Sequence, residues 1–256
     1  MSQSNQPQHG KTGSPLGVAV VTGAGSGIGR AIVLELAKSG VACCLVGRTL
    51  TKLEEVARLT ARVGVNSIPM VADLGDLGAV AALAEGIRSS GRRIDCLVHS
   101  AAAMTVSRLK DSTVEEFNRL MTVNVVAAFA LTKHLLAEIC ANKGQIVFVN
   151  SSVVNHPAPG TVIYAATKHA LKGLADGLRQ EVNALGVRVI SVFPGRTATA
   201  LQSFLFEIEG RQYVSSSLLQ PEDVAAMVVQ ALALPSTAEV TDIMIRPSIK
   251  SSSRRP

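Results

Sequence analysis

Aromatic side chains are scarce in this 256-residue chain: 3%, with two tyrosines and no tryptophan. Proteins that grip single-stranded nucleic acid stack bases on aromatics set among cations. The shortage therefore argues against that partner. The net charge of +6 is scattered, apart from Lys250, Arg254 and Arg255 near the end. It reads as a mildly basic, solvated surface. Charged residues make up only 17%. They nevertheless break each apolar run before the ~18 residues of a membrane span, so no membrane partner is expected. Met1 to Gly13 is polar and lacks the apolar core of a secretory leader, which makes the cytoplasm the expected location. Cysteine is sparse as well. Cys43, Cys44, Cys96 and Cys140 have neither metal-ligand nor redox spacing. They sit in apolar segments and read as small buried hydrophobes, and no metal is expected.

What the chain does have is apolar content, at 47%, distributed in short blocks. Residues 1–14 and 250–256 have little to bury and read as disordered tails. Residues 15–249 form one domain of ordinary size. Within it, β-branched runs predict strands at 17–21, 42–46, 67–71, 96–99, 145–150, 188–193 and 240–245. Helices are predicted to begin near Ile28, Leu50, Leu77, Thr113, Thr161 and Glu222. Most of the strands are apolar without alternation, as in strands covered on both faces. Strands alternating with helices imply right-handed crossovers and a parallel sheet between helical layers.

The first strand runs into Thr22-Gly23-Ala24-Gly25-Ser26-Gly27-Ile28-Gly29 and then a helix. The unpaired N–H groups and positive dipole end of a helix start hold phosphates, and glycines let the backbone approach them. The spacing is T-G-x-x-x-G-x-G. It is not the G-x-G-x-x-G of two-domain dehydrogenases, because positions 28 and 30 are Ile and Arg. The acid that bonds a ribose 2′-OH about 20 residues on is also missing. The second strand ends instead in Val46-Gly47-Arg48-Thr49. Arg48 offers a permanently charged fork to a 2′-phosphate, which favours NADP over NAD.

Tyr164-Ala165-Ala166-Thr167-Lys168 opens a helical stripe that continues through Leu171, Ala175, Leu178, Val182 and Leu185. Tyr164 and Lys168 lie one turn apart on a single face. A phenol has a pKa near 10, and a neighbouring cation lowers it toward a value useful for proton transfer. Upstream, a strand ends in Asn150-Ser151-Ser152. Hydroxyls at the C-terminal edge of a parallel sheet face its ligand crevice, and either serine can hold a substrate oxygen. Asn124 interrupts the apolar stripe Val114, Phe117, Met121, Val125 and Ala128. As a buried amide it needs partners. It is either a satisfied core amide or part of a water relay behind Lys168.

In this order, the glycine loop, Asp73 after Ala72, Asn124, the serine pair, Tyr164/Lys168 and Phe193-Pro194-Gly195 resemble the single-domain short-chain dehydrogenase/reductases over residues 16–247. The resemblance implies a three-layer, doubly wound Rossmann-type fold: seven parallel strands, order 3-2-1-4-5-6-7, with helices on both faces. It implies a catalytic set in which Tyr164 is the acid/base and Lys168 lowers its pKa. Ser152 positions the carbonyl, favoured over Ser151 by the local Ser-Val-Val similarity, and Asn124 holds a relay water. It also implies an NADP(H) site. Gly23, Ser26, Gly27, Ile28 and Gly29 would meet the pyrophosphate and Arg48 the 2′-phosphate. Asp73 and Leu74 would meet adenine, and Ser100, Ala101, Tyr164 and Lys168 would line the cofactor further along. Pro194, Gly195, Thr197 and Thr199 would cover the nicotinamide end.

The chain departs from the family at His99-Ser100-Ala101-Ala102, where Asn-Asn-Ala-Gly is usual. His99 reads as a structural stand-in for the first Asn, and Ala102 adds a methyl close to the cofactor ribose. The implied reaction interconverts a carbonyl and a secondary alcohol. A nucleotide-binding scaffold with little turnover is the alternative. The stretch after Thr199, with Phe204, Phe206 and Tyr213, crosses the crevice mouth, either as a lid over a mostly apolar small molecule or as a docked short helix. A homotetramer, with a dimer second, is the family expectation. The stripe over 114–140 marks the long helix that pairs subunits.

Overall fold

The computed structural model describes residues 17–248. The tails expected at 1–14 and 250–256, and the outer limits of the domain at 15, 16 and 249, lie outside the described residues. Seven parallel strands form one sheet in the order β3-β2-β1-β4-β5-β6-β7. They are β1 (Val18–Thr22), β2 (Ala42–Gly47), β3 (Ile68–Val71), β4 (Ile94–His99), β5 (Gln145–Val149), β6 (Arg188–Pro194) and β7 (Asp242–Ile245). The register is regular. Val20 faces Cys44 on one side and Leu97 on the other, and Phe148 pairs with His99 and Ser191.

Strand residues point alternately to the two faces, and each face has its own core. Ala19, Val21, Leu45, Val98, Val147 and Val192 pack with apolar residues of α1 (Gly27–Lys38), α2 (Leu50–Ala61) and α8 (Pro221–Leu232). Val20, Val46, Leu97, Phe148 and Val189 pack with α3 (Leu77–Ser89), α5 (Ala127–Ala141) and α6 (Val162–Val182). Polar side chains start these helices. Asp76 accepts the Gly78 and Ala79 N–H groups at the head of α3, and Gln220 and Asp223 form a reciprocal cap around Pro221 on α8. The cysteines fill apolar space: Cys43, Cys44 and Cys96 are buried and Cys140 half-buried, all as free thiols. Burial pushes their pKa values up, that of Cys96 to about 12.

Four expectations shift. β4 starts at Ile94, two residues earlier than predicted. The buried carboxylate of Asp95 hid its first residues, and that carboxylate is satisfied by the Gly17 N–H and by Arg93 at 2.8 Å. The helical stripe over 114–140 is α4 (Val114–Met121), a single π-helical turn (Thr122–Val126) and then α5. Its outer residues stay exposed, Val114 at 68% and Phe117 at 37%. This helix, Val114–Ala141, is also long and apolar enough by length and composition to cross a membrane, contrary to the expectation that charges break up every such run. In the fold, α5 puts Leu131, Leu135 and Ile139 against the sheet. Leu185, the last member of the Tyr164 stripe, leaves the helix and is exposed.

Candidate active site

A cleft of about 420 Å³ opens along the C-terminal edge of the sheet. Its floor at the centre is the glycine-rich turn between β1 and α1. A Cβ at Gly29 would run into the Gly23 carbonyl, and one at Gly23, where φ is +69°, would stand 2.9 Å from Ala101. No other residue fits either position. The Thr22 hydroxyl accepts from the Ser100 and Ala101 N–H groups, both at 3.1 Å, and so ties the loop after β4 to the same turn. Gly23, Ser26, Gly27, Ile28, Gly29, Ser100 and Ala101 all reach the wall as expected. Ala102 reaches it too, so its methyl is accommodated there.

At one end, Arg48 and Lys52 line the cleft, both exposed and without an ion pair among the described residues. Asp73 and Leu74 lie close by on the loop after β3. One carboxylate oxygen of Asp73 accepts the Gly75 N–H at 2.9 Å. Arg119 of α4 enters from the other wall beside Val123. Lys52 and Arg119 were not legible as site residues, since each reads as an exposed cation on a helix face.

At the other end stand Tyr164 and Lys168, on the first turns of α6, both on the wall and both buried. The Lys168 ammonium donates to the Val149 carbonyl at 3.0 Å and lies 5.7 Å from the Tyr164 ring centroid. Burial lowers the Lys168 pKa to about 8. Burial also raises that of Tyr164 to about 12, partly opposed by a hydrogen bond with the Ser151 hydroxyl. The shift of the phenol is therefore upward, led by desolvation of the ring, with the Ser151 hydrogen bond opposing it. Of the serine pair, Ser151 is the one beside the phenol. Ser151 meets Tyr164, while Ser152 opens a short 3-10 turn (Ser152–Val154). Asn150, missed as the plain end of a strand, is the bracket. Its Oδ1 accepts the Ser151 N–H at 2.9 Å and its Nδ2 donates to the Lys168 carbonyl at 3.1 Å.

Asn124, in the π-helical turn, does not line the cleft. Its Nδ2 donates to the Ala103 carbonyl (2.8 Å) and Thr167 Oγ1 (3.0 Å), and its Oδ1 accepts the Ala103 N–H (2.7 Å). Both amide protons are used. Through these bonds the side chain pins the loop after β4 to α6. A π turn in this place is what turns an otherwise apolar stripe inward at Asn124. His99 stacks on Phe148 at 4.9 Å and bonds Thr132 at 2.8 Å. Burial pulls its pKa down to about 3, so it is neutral at any working pH.

The segment after β6 closes the cleft. Thr199, Ala200 and Leu201 line it at the start of α7 (Ala200–Ile208), whose N-terminus Thr199 caps. Pro194, Gly195 and Thr197, which precede this wall in the chain, do not line the cleft. The Thr197 hydroxyl donates to the Gly195 carbonyl at 3.0 Å. Of the aromatics expected over the cleft, Phe206 and Tyr213 pack edge to face at 5.7 Å, and Phe204 is 56% exposed. No cluster of three or more His, Cys, Asp or Glu side chains among the described residues is placed to hold a metal ion.

A sheet of this order carrying this cleft is the frame of a dinucleotide-dependent oxidoreductase, and the comparisons agree. The family model for short chain dehydrogenases matches residues 17–209, and the chain belongs to that family. It is 35% identical over 236 residues to an uncharacterized short-chain type dehydrogenase/reductase of Sinorhizobium fredii, covering 90% of this chain and 91% of that one. It is 31% identical to a sepiapterin reductase of Chlorobaculum tepidum, over 90% and 96% of the two chains. Among solved structures, the alcohol dehydrogenase of Thermococcus sibiricus in complex with 5-hydroxy-NADP superposes with a TM-score of 0.82 at 26% identity, over 94% and 99%.

Proposed function

We propose that the protein is an NADP-dependent oxidoreductase that interconverts a carbonyl and a secondary alcohol. The observation that carries this is the union, in one cleft, of Tyr164, its partner Ser151 and buried Lys168 with the glycine turn and a rim bearing Arg48 and Lys52. The fit to NADP(H) rests on the turn, which a Cβ would fill, and on Arg48 just after β2 and Lys52 on α2, neither in an ion pair among the described residues; no acid ends β2 to repel a 2′-phosphate. The Thermococcus relative, described with 5-hydroxy-NADP, supports the same cofactor. Gly23, Ser26, Gly27, Ile28 and Gly29 would hold the pyrophosphate, Arg48 the 2′-phosphate, and Asp73 and Leu74 the adenine. Ser100 and Ala101, with Tyr164 and Lys168, would hold the ribose side, and Thr199 with Pro194, Gly195 and Thr197 would hold the nicotinamide end.

NADPH, when bound, supplies the hydride. The chain supplies the proton and the alignment. Ser151 holds the carbonyl oxygen, and Tyr164, protonated, donates its phenolic proton to that oxygen as charge develops. Lys168 keeps a positive charge behind the ring, held in place by the Val149 carbonyl, and so favours the phenolate that remains. Asn124 acts at a distance by fixing Ala103 and Thr167. The substrate is a small, mostly apolar ketone or aldehyde, in keeping with Leu201 on the wall and Phe204 beside it. The protein works in the cytoplasm as a homo-oligomer, a tetramer or else a dimer. A groove of about 320 Å³ framed by Leu109, Val114, Phe117 and Val162 supports such pairing.

Fluorescence titration with NADPH and NADH, followed by a carbonyl panel, tests the reading. Tighter NADPH binding with turnover of apolar ketones is expected. Absence of NADPH binding overturns it, and binding without turnover of any carbonyl favours the scaffold alternative.

A further inference from the structure

Between β6 and α8 the chain leaves the sheet and returns, and the excursion is sewn shut at its base. Ala198 N–H donates to the Leu219 carbonyl at 2.7 Å and Leu219 N–H to the Arg196 carbonyl at 3.1 Å. Above this base, α7 rests on the glycine turn. The Thr199 methyl lies 3.2 Å from where a Gly27 Cβ would stand. The far end of α7 is held by a separate device. Glu209 takes both guanidinium nitrogens of Arg196, at 2.8 and 2.7 Å, and one of Arg211 at 3.3 Å. The two guanidinium groups lie 5.0 and 5.1 Å from the Phe206 ring, which also meets the edge of Tyr213. Phe206 is 3% exposed, and Glu209, Arg196 and Arg211 are about one-third exposed. An isolated surface pair contributes little, but a bidentate pair inside a network with stacked cations is the exception.

We propose that Glu209 is a positioning residue. By drawing Arg196 and Arg211 together around Phe206 it sets α7 against the glycine turn, so that Thr199, Ala200 and Leu201 form the cleft wall. Arg196, which follows Pro194-Gly195 directly, is thereby committed to the clamp rather than to the cleft. This rests on the cofactor and carbonyl reading above only for its consequence in catalysis; the clamp itself is independent of it. A clamp at the end of α7 distant from the chemistry acts on enclosure. Its loss raises KM and the NADPH Kd and spares kcat, because Tyr164, Ser151 and Lys168 are seated on β5 and α6.

The experiment compares wild type with Glu209→Ala, Glu209→Asp and Arg211→Gln by hydrogen exchange, NADPH fluorescence and steady-state kinetics on a carbonyl turned over by wild type. Glu209→Ala is expected to speed exchange of the 199–211 amides about tenfold, a factor equal to one lost charge-assisted contact, and to leave β5 and β6 protected. KM and NADPH Kd are expected to rise about five- to tenfold with kcat within about twofold. Glu209→Asp recovers part of the protection, and Arg211→Gln, which keeps the bidentate pair, loses less. Unchanged α7 exchange in Glu209→Ala overturns the proposal. So does a loss of protection spread evenly over the sheet, or a fall in kcat with KM unaltered. If wild type fails to bind NADPH while α7 loosens as expected, the cofactor reading falls and the clamp stands. If Glu209→Ala does not fold, Arg211→Gln and Glu209→Asp decide by the same readouts.

Discussion

The two ends of the cleft are built on opposite principles. From the central glycine turn to Arg48 the cleft is backbone and solvent: glycines that cannot carry a side chain, N–H groups at the start of α1, and exposed cations with no ion pair among the described residues. The Tyr164 end is desolvated and satisfied. Its phenol, its ammonium, Asn150 and the amide behind it are all buried and nearly all bonded. The first end is open to a ligand that brings its own charge. The second holds a proton in place at the cost of a raised phenol and a lowered amine. Recognition and chemistry are therefore separable by mutation, and the sharpest way to break the comparison is to find a residue at one end that controls the other.

The largest effect is expected at Tyr164. Tyr164→Phe removes the proton donor, and general acid catalysis is typically worth on the order of 10²–10⁴-fold. NADPH binding is expected to stay within about twofold, because the phosphate contacts are at the far end. Near-normal kcat in the Phe variant on a verified carbonyl, measured by NADPH consumption, would end the acid role.

Next comes the pair of serines. Ser151 is hydrogen-bonded with the phenol, whereas Ser152 begins the turn that leaves it. A hydrogen bond to a group gaining charge is worth about 1.5–3 kcal/mol. Ser151→Ala is expected to lower kcat/KM about 10- to 150-fold by that measure, and Ser152→Ala by less than about threefold. The reverse ranking would return the role to Ser152.

These two serines also show what is legible in a sequence. The sheet order, both cores and the glycine turn follow from local signals: apolar blocks, helix periodicity, and glycine where nothing else fits. The choice between Ser151 and Ser152 depends on how a short turn bends after β5, and no periodicity reports that. Lys52 and Arg119 were invisible for a related reason. Their function comes from the wall they face, which exists only after α2 and α4 have docked. The direction of the Tyr164 shift was missed because spacing reveals the neighbouring cation and conceals the loss of water. Asn124 was seen as the odd polar residue on its stripe, but its true partners, Ala103 and Thr167, are 21 and 43 residues away.

A smaller effect is expected at the open end. Arg48 is exposed, so its contact with a 2′-phosphate falls toward the lower part of the charge-assisted range, about tenfold. Arg48→Ala is expected to reduce the NADPH over NADH preference by that factor in Kd and to leave kcat with saturating NADPH unchanged. Lys52, still in place, sustains a residual preference. Equal affinities for the two cofactors in wild type would show that the rim does not read the phosphate.

The smallest expected effect is in stability, and it tests the buried end without any substrate. Lys168 has a folded pKa of about 8 against an ordinary 10.5, through burial. Between those values the unfolded chain binds the proton that the folded chain has released, so this group adds stability as pH rises from 8 toward 10.5 and withdraws it as pH falls back through 8. Tyr164 works in the opposite sense in a higher window. Its pKa is raised from 10 to about 12, so its contribution is present below 10 and lost as pH climbs through 12. Between pH 8 and 10 only the lysine is in play of the two. Lys168→Met fills the same channel without a charge. Melting temperatures of the two proteins, measured every half unit from pH 7 to 10, are expected to converge or cross by a few degrees, with wild type gaining on the variant. Parallel curves would mean that Lys168 keeps its proton across the whole range. The ammonium would then be far better compensated by the Val149 carbonyl than its burial implies.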